Sequence, residues 1–219
     1  MVLAYIFTLL PALMQGLWET LKLFLLTLVF ALPLGLVFTL GSLSPVPPLR
    51  WLSRLYIWVF RGTPLMLQLF FVYYGLPFLG LAFDRFPAAV LTFVLNYAAY
   101  FAEIYRAGIQ SIDQGQHEAA KTLGFTPWQT MRFIIIPQTV SRVIPPVCNE
   151  TITLVKDTAL VTAIGVGELL KAAQGAVNRD VNITAYVLAA LVYLLLTFVM
   201  TMMYERLEKR FSRHQRKEA

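Results

Sequence analysis

Apolar runs dominate the chain, separated by short polar stretches rich in Gly and Pro. Two runs are uninterrupted, Leu21–Leu40 (LKLFLLTLVFALPLGLVFTL) and Ile183–Met203 (ITAYVLAALVYLLLTFVMTMM), and neither carries a charge beyond Lys22 at its edge. Each has the roughly 20 residues that cross a hydrocarbon layer about 30 Å thick as a helix. Two more runs follow the same pattern with blemishes: LYIWVFRGTPLMLQLFFVYYGLPFLG from Leu55 contains Arg61, and FPAAVLTFVLNYAAYFAEIYRAG from Phe86 is apolar until Glu103. A further stretch, Arg132–Asp157, is long enough but includes Ser141, Arg142, Asn149 and Glu150. Lipid penalises each such charge by a few kcal/mol at mid-bilayer, so this helix must face protein or water. Pro145 and Pro146 are expected to break it and leave a second helical piece beyond them. The pattern predicts an all-α integral membrane protein of about five transmembrane helices, organised as one domain over residues 1–219.

Composition agrees. Of 219 residues 58% are hydrophobic and only 14% charged, against about a quarter charged in soluble domains, and the mean hydropathy is +0.66. An odd number of spans puts the termini on opposite sides, and the Lys and Arg distribution orients them. Arg50, Arg54, Lys121 and Arg132 fall in the loops expected after the first and third spans, and a basic tail occupies about residues 205–219. Those segments are expected in the cytoplasm, with the N-terminus and the FDRFP turn outside. The segment KDTALVTAIGVGELLKAAQGAVNRDVN joins them there, its apolar part too short to span and suited to a re-entrant or interfacial helix.

The net charge of +6 then reports topology rather than nucleic-acid binding, because no basic patch interleaved with aromatics accompanies it. The N-terminal stretch lacks a basic leader and runs directly into the first span, unlike a cleaved signal peptide. Cys148 is the single cysteine, and His117 and His214 are far apart, so no disulfide or metal constellation is expected. No nucleophile elbow, zincin helix or phosphate-binding glycine loop occurs, and no catalytic residue is expected.

Against this background the polar stretch EAAKTLGFTPWQTMRFIIIPQ from Glu118 stands out. Asp113 with Gln116 three residues on forms an expected N-cap pair, Glu118 sits where the helix dipole favours an anion, and Gly124 supplies a left-handed stop. That defines a helix over about residues 114–124. Thr126 then caps a second helix, with Pro127 at its first position and Gln129 at its third. A helix this short needs something to pack against, and Ala119 and Ala120 offer a small face for it.

EAAKTLGFTPWQTMRFIIIP resembles the coupling-helix motif of the membrane subunits of ATP-binding-cassette (ABC) importers, with Ile136 standing where Leu usually precedes the proline. RGTPLMLQLFFVYYGLP, AEIYRAGIQSIDQGQHEAAKTLG and IIPQTVSRVIPPVCNETITLVKDTALVTAIG further resemble the polar amino acid branch of that family, and the likeness extends from about Leu17 to Arg210. The resemblance implies the type I importer permease fold in a bacterial inner membrane, a second identical or homologous permease subunit, and an extracytoplasmic substrate-binding protein. It also implies two cytoplasmic ATPase subunits that hold the ATP and Mg, with no cofactor in this chain. Coupling to the ATPase would fall on His117, Glu118, Ala119, Ala120, Lys121 and Gly124. The competing reading is an ordinary amphipathic loop helix.

Candidates for the substrate pathway come from charge inside the apolar runs. Arg61 and Thr63 lie in RGTP, whose Gly-Thr-Pro interrupts the helix and frees backbone groups near the midplane. Both a pathway and a structural kink fit. Glu150, Thr153 and Asp157 recur at three- and four-residue steps and share a face, with Lys156 beside them. A zwitterionic amino acid needs both kinds of charge, and Asn96 on the neighbouring run can add hydrogen bonds. An internal ion-pair network is the alternative. An ion-coupled secondary transporter would need repeats or an ion site, and none is evident.

Overall fold

The computed structural model describes residues 2–212. Residues 213–219 of the expected basic tail, including His214, lie outside the described residues. The first element, α1, is one helix of 42 residues, Val2–Leu43, about 63 Å long. The predicted span Leu21–Leu40 is therefore the inner part of a longer helix that continues through Pro11 and Pro33. It continues because Leu9 and Leu13, outside the most apolar window, have their own partners and are buried.

A tight turn leads to α2, Pro47–Gly62, whose two prolines open the first turn, where their missing N–H groups cost nothing. Arg50 and Arg54, expected in a loop, sit in this helix instead; the flanking apolar residues extend the helical pattern back to Pro47. The interruption predicted at Gly-Thr-Pro is present. Thr63 and Pro64 adopt extended backbone, and the chain turns through 104° into α3, Leu65–Phe70. A π-helical turn (Phe71–Gly75) and a 3₁₀ turn (Leu76–Leu79) prolong it until Gly80 stops it in the left-handed region.

Next, α4 is Arg85–Gln110 and α5 is Gln114–Thr122. The short α6, Pro127–Thr130, passes through a π turn (Met131–Ile135) into α7, Ile136–Asp157. The break expected at Pro145 and Pro146 does not occur: both lie inside α7. Proline already holds a helical φ, and packing of α7 against both α4 and α9 keeps the helix whole across the two missing donors. A 3₁₀ segment (Thr158–Ile164) ends at left-handed Gly165, followed by α8, Leu169–Asp180, and α9, Thr184–Ser212. Thus α9 runs past the predicted Met203 into the charged tail, where Glu205 and Lys209 pair one turn apart at 3.9 Å.

Among the described residues, α1, α4 and α9 are each long and apolar enough to cross a membrane. The bent pair α2–α3 and the α7–α8 pair, bent by 52°, bring the number up to five where each pair counts as one span. The core forms where α1 lies along α4. Small side chains allow the approach: a Cβ at Gly35 would stand 2.9 Å from Phe101 Cβ and 3.0 Å from Ala98 O, and Ala98, Ala99 and Ala102 are buried. Close contact between small residues is how membrane helices gain dispersion energy without help from water. Phe93, Tyr97 and Phe101 fill the space between this pair and Leu154 and Val155 of α7. A second cluster seats α8 between α1 and α9 through Leu9, Leu13, Leu169, Ala173 and Ala185.

Candidate functional site

The capped segment is built by local chemistry. Asp113 Oδ1 accepts from Gly115 N–H at 2.6 Å and caps α5. The expected return arm does not form: Gln116 Oε1 accepts instead from Gln138 Nε2 of α7 at 3.1 Å, which ties α5 to the helix behind it. At the other end Gly124 N–H reaches Lys121 O at 3.0 Å and Phe125 N–H reaches Ala120 O at 3.0 Å. This is the double bond pattern of a left-handed helix stop, and Gly124 holds φ +80. The second cap is complete: Thr126 Oγ1 accepts from Gln129 N–H, and Gln129 Oε1 accepts from Thr126 N–H at 2.8 Å.

The expected small face divides. Ala120 is 1% exposed and seats the helix on its own chain, whereas Ala119, His117, Glu118 and Lys121 all lie open. Beside them Leu123 is 75% and Trp128 67% exposed. Sequence reasoning did not single out these two residues; the available signal was an apolar side chain in a segment too short to own a core.

The second constellation is the elbow between α2 and α3. Arg61, on the last turn of α2, places a guanidinium nitrogen 3.7 Å from Glu103 Oε1 and its Cζ 5.5 Å from the Tyr100 ring centre. Glu103 is held in turn by Arg106, whose Nε donates at 2.9 Å. Breaking a helix in the membrane orphans carbonyls that water cannot reach. Gln68 meets them: its Nε2 lies 2.9 Å from Phe60 O, 3.1 Å from Thr63 O and 2.7 Å from Thr63 Oγ1. Asn96 of α4 completes the set, its Nδ2 donating to Phe60 O at 3.1 Å and to Gln68 Oε1 at 3.0 Å. Thr63 donates to Val59 O at 2.9 Å. Thr63 and Asn96, put forward for the pathway, thus have these donors engaged in the elbow, together with Gln68, which the sequence reading overlooked.

The third constellation is the C-terminal half of α7. Asp157 Oδ2 accepts from Tyr97 Oη at 2.7 Å, and both Asp157 and Glu150 are half-buried. Among the described residues no Lys or Arg lies within 4 Å of either carboxylate. Lys156 is exposed, and Thr153 turns its hydroxyl to Asn149 O at 3.2 Å. Consecutive residues of α4 therefore face two ways: Asn96 secures the elbow and Tyr97 meets Asp157. A carboxylate with one neutral donor and no cation keeps open capacity for a charged partner.

A family profile described as "Binding-protein-dependent transport system inner membrane component" matches residues 31–213. The L-cystine transport system permease protein TcyB of Bacillus subtilis (strain 168) is 40% identical over 206 residues, covering 93% of this chain and 88% of TcyB. The arginine transport system permease protein ArtQ of the same organism is 41% identical over 202 residues, covering 91% and 92%. A crystal structure of an amino acid ABC transporter with histidines superposes with a TM-score of 0.90 at 35% identity, covering 94% of this chain and 97% of that one. The inward-facing MetNI methionine ABC transporter shares the fold, with a TM-score of 0.72 at 21% identity and coverage of 93% and 98%.

Proposed function

Because this chain belongs to the binding-protein-dependent transport system inner membrane component family and is a permease subunit of an ABC importer, we propose that it passes polar amino acids inward along α4 and α7. The relatives named for cystine and arginine support that substrate class. Arg61, Glu150 and Asp157 are the side chains offered to the zwitterion, with Lys156 at the rim; Thr63, Asn96 and Thr153 shape the wall beside them. ATP and Mg are held by a pair of ATPase subunits, not by this chain, and a second permease subunit completes the pathway. A substrate-binding protein delivers the amino acid on the outer side, where the N-terminus lies, while the C-terminus is cytoplasmic.

The observation that carries this reading is the exposed, doubly capped segment from Asp113 to Gln129. It buries only Ala120 while presenting Glu118, Lys121, Leu123 and Trp128. A helix of nine residues held rigid by caps and left open on its outer face suits insertion into a groove of an ATPase. His117, Glu118, Ala119, Lys121 and the stop at Gly124 form the inserted tip.

Reconstitution into vesicles tests the proposal. ATP-driven uptake of a labelled amino acid from a panel including arginine, cystine and glutamine should require the ATPase and the binding protein together. Uptake by the chain without an ATPase, under an ion gradient, would overturn it.

A further inference from the structure

Glu168 is an ionisable side chain with 0% exposure, and nothing in the proposed pathway uses it. Its carboxylate is saturated. Leu170 N–H donates at 2.8 Å and Lys171 N–H at 2.6 Å, which caps α8; Tyr193 Oη of α9 donates at 2.8 Å, and Thr162 Oγ1 of the 3₁₀ segment supplies the fourth hydrogen bond. Four donors match the four acceptor positions of a carboxylate, and the α8 dipole adds to them. Alongside, Leu169 N–H donates to Thr20 Oγ1 of α1 at 3.2 Å, and Gly16 of α1 lies so close that a Cβ would stand 2.9 Å from Glu168 O.

These bonds are unevenly distributed about the corner that joins α7 to α8. The corner contains Gly165 at φ +82 and Gly167, around which a Cβ would find open space. On one side Asp157 opens the 3₁₀ segment. On the other, α8 is fixed to α1 and α9. Three of the four donors to Glu168 lie on the α8–α9 side, and only the Thr162 hydroxyl reaches it from the α7 side. Breaking that one bond leaves the carboxylate with three donors, so the corner can open without stranding an unsolvated charge. Loop residues at element ends are where such motions concentrate.

We propose that Thr162 and Glu168 form a latch across the Gly165–Gly167 corner, and that its release lets the Asp157 end of α7 and the start of α8 move relative to one another when the outer gate of the pathway opens. The gate role rests on the importer function proposed above; the latch itself does not. Thr162 and Glu168 are positioning residues here and touch no substrate.

Val166, at the corner and 6% exposed, supplies a reporter. In a Cys148→Ser background, the Val166→Cys thiol of the purified full-length chain in its complex reacts with a maleimide only when the corner opens. Thr162→Val deletes the hydroxyl and keeps the shape, so labelling should accelerate about tenfold or more, as expected for loss of one charge-assisted bond. Thr162→Ser should restore the slow rate, which a general loss of packing would not do. Equal labelling in Thr162→Val and its parent overturns the latch. The gate role has a separate readout, because a released latch should raise ATP hydrolysis in the absence of binding protein relative to the stimulated rate. A parent complex that the binding protein fails to stimulate would count against the importer reading, while the labelling rates still decide the latch.

Discussion

Two interruptions of helix in this chain use nearly the same letters and are held by opposite means. At Gly124-Phe-Thr-Pro127 the chain leaves α5 and enters α6, and the caps are local: Gly124 and Phe125 close one helix, Thr126 and Gln129 open the next. At Gly62-Thr-Pro64 the chain leaves α2 and enters α3, and no side-chain cap forms at the start of α3. The carbonyls of Phe60 and Thr63 are met instead by Gln68 and by Asn96 from another helix. Water can finish what local caps leave undone at the first break. At the second, a partner also comes from the fold: Asn96 of α4 donates to Phe60 O.

The largest expected effect separates a polar group bound to the backbone from one left open for a ligand. Asp157 has one neutral donor, Tyr97, and no cation within 4 Å among the described residues. Asp157→Asn keeps shape and hydrogen bonding while removing charge. Uptake should show substrate affinity reduced about ten- to a hundredfold, the equivalent of one charge-assisted hydrogen bond of about 1.5–3 kcal/mol. Complex assembly and melting temperature should hold. Unchanged uptake in a stable variant discards the substrate role.

Elbow variants should give the opposite pattern. Asn96→Leu and Gln68→Leu each strip one of the two side-chain donors from the half-buried Phe60 O, and an acceptor left wholly unmet costs about 1–3 kcal/mol. The thermal unfolding temperature in detergent should fall for each, and the double variant should cost more than the sum, because only then does Phe60 O lose both side-chain donors. The apparent KM of what remains folded should stay put. A shift in KM without loss of stability would move Asn96 into the substrate site.

How far the sequence revealed these features follows from the same contrast. Gly124, Thr126 and Gln129 were readable because their partners lie within five residues. The break at Pro64 was readable, but not its full repair: Gln68 lies only five residues from Thr63, whereas Asn96 reaches Phe60 O from 36 residues away on α4. Glu168 was missed because Glu is not among the usual N-cap residues; its capping donors, Leu170 and Lys171 N–H, are local, while Tyr193 donates to it from 25 residues on. Pro145 and Pro146 misled because local propensity was outweighed by packing against α4 and α9. The length of α1 escaped a hydropathy reading because Leu9 and Leu13 are buried by α8, an element that pattern alone did not bring near them.

At the water-exposed break the expected effect is smaller and confined to coupling. Among the described residues no atom lies within 4 Å of a would-be Cβ at Gly124, so within this chain the cost of substitution there is conformational. Gly124→Val forces a β-branched residue to φ +80, at about 1–2 kcal/mol. ATP hydrolysis stimulated by the binding protein should drop while membrane insertion is unaffected, and Gly124→Asn, which tolerates this region, should lose less. Full coupled hydrolysis in Gly124→Val would remove α5 from the docking role.

The smallest effect tests whether a left-handed stop can be written without glycine. Gly80, Gly124 and Gly165 hold positive φ, and Val181, at the end of α8, is the single non-glycine residue among those described to do so, at φ +50. Its N–H still closes the helix on Val177 O at 2.9 Å, so the geometry is a true helix stop with a β-branched side chain in the wrong region. That side chain is 91% exposed and gains nothing from the chain's own packing. Val181→Gly should relieve about 1–2 kcal/mol of strain, less about 0.5–1 kcal/mol for the greater freedom of glycine in the unfolded chain. The net result is a rise of about 0–1.5 kcal/mol, visible as a small increase in melting temperature of the isolated permease. Val181→Asn, which tolerates the region without the full entropy term, should match or exceed it. A fall in stability in both variants would mean that Val181 is retained by contacts outside this chain, and would set it apart from the three glycine stops as a residue placed for a partner.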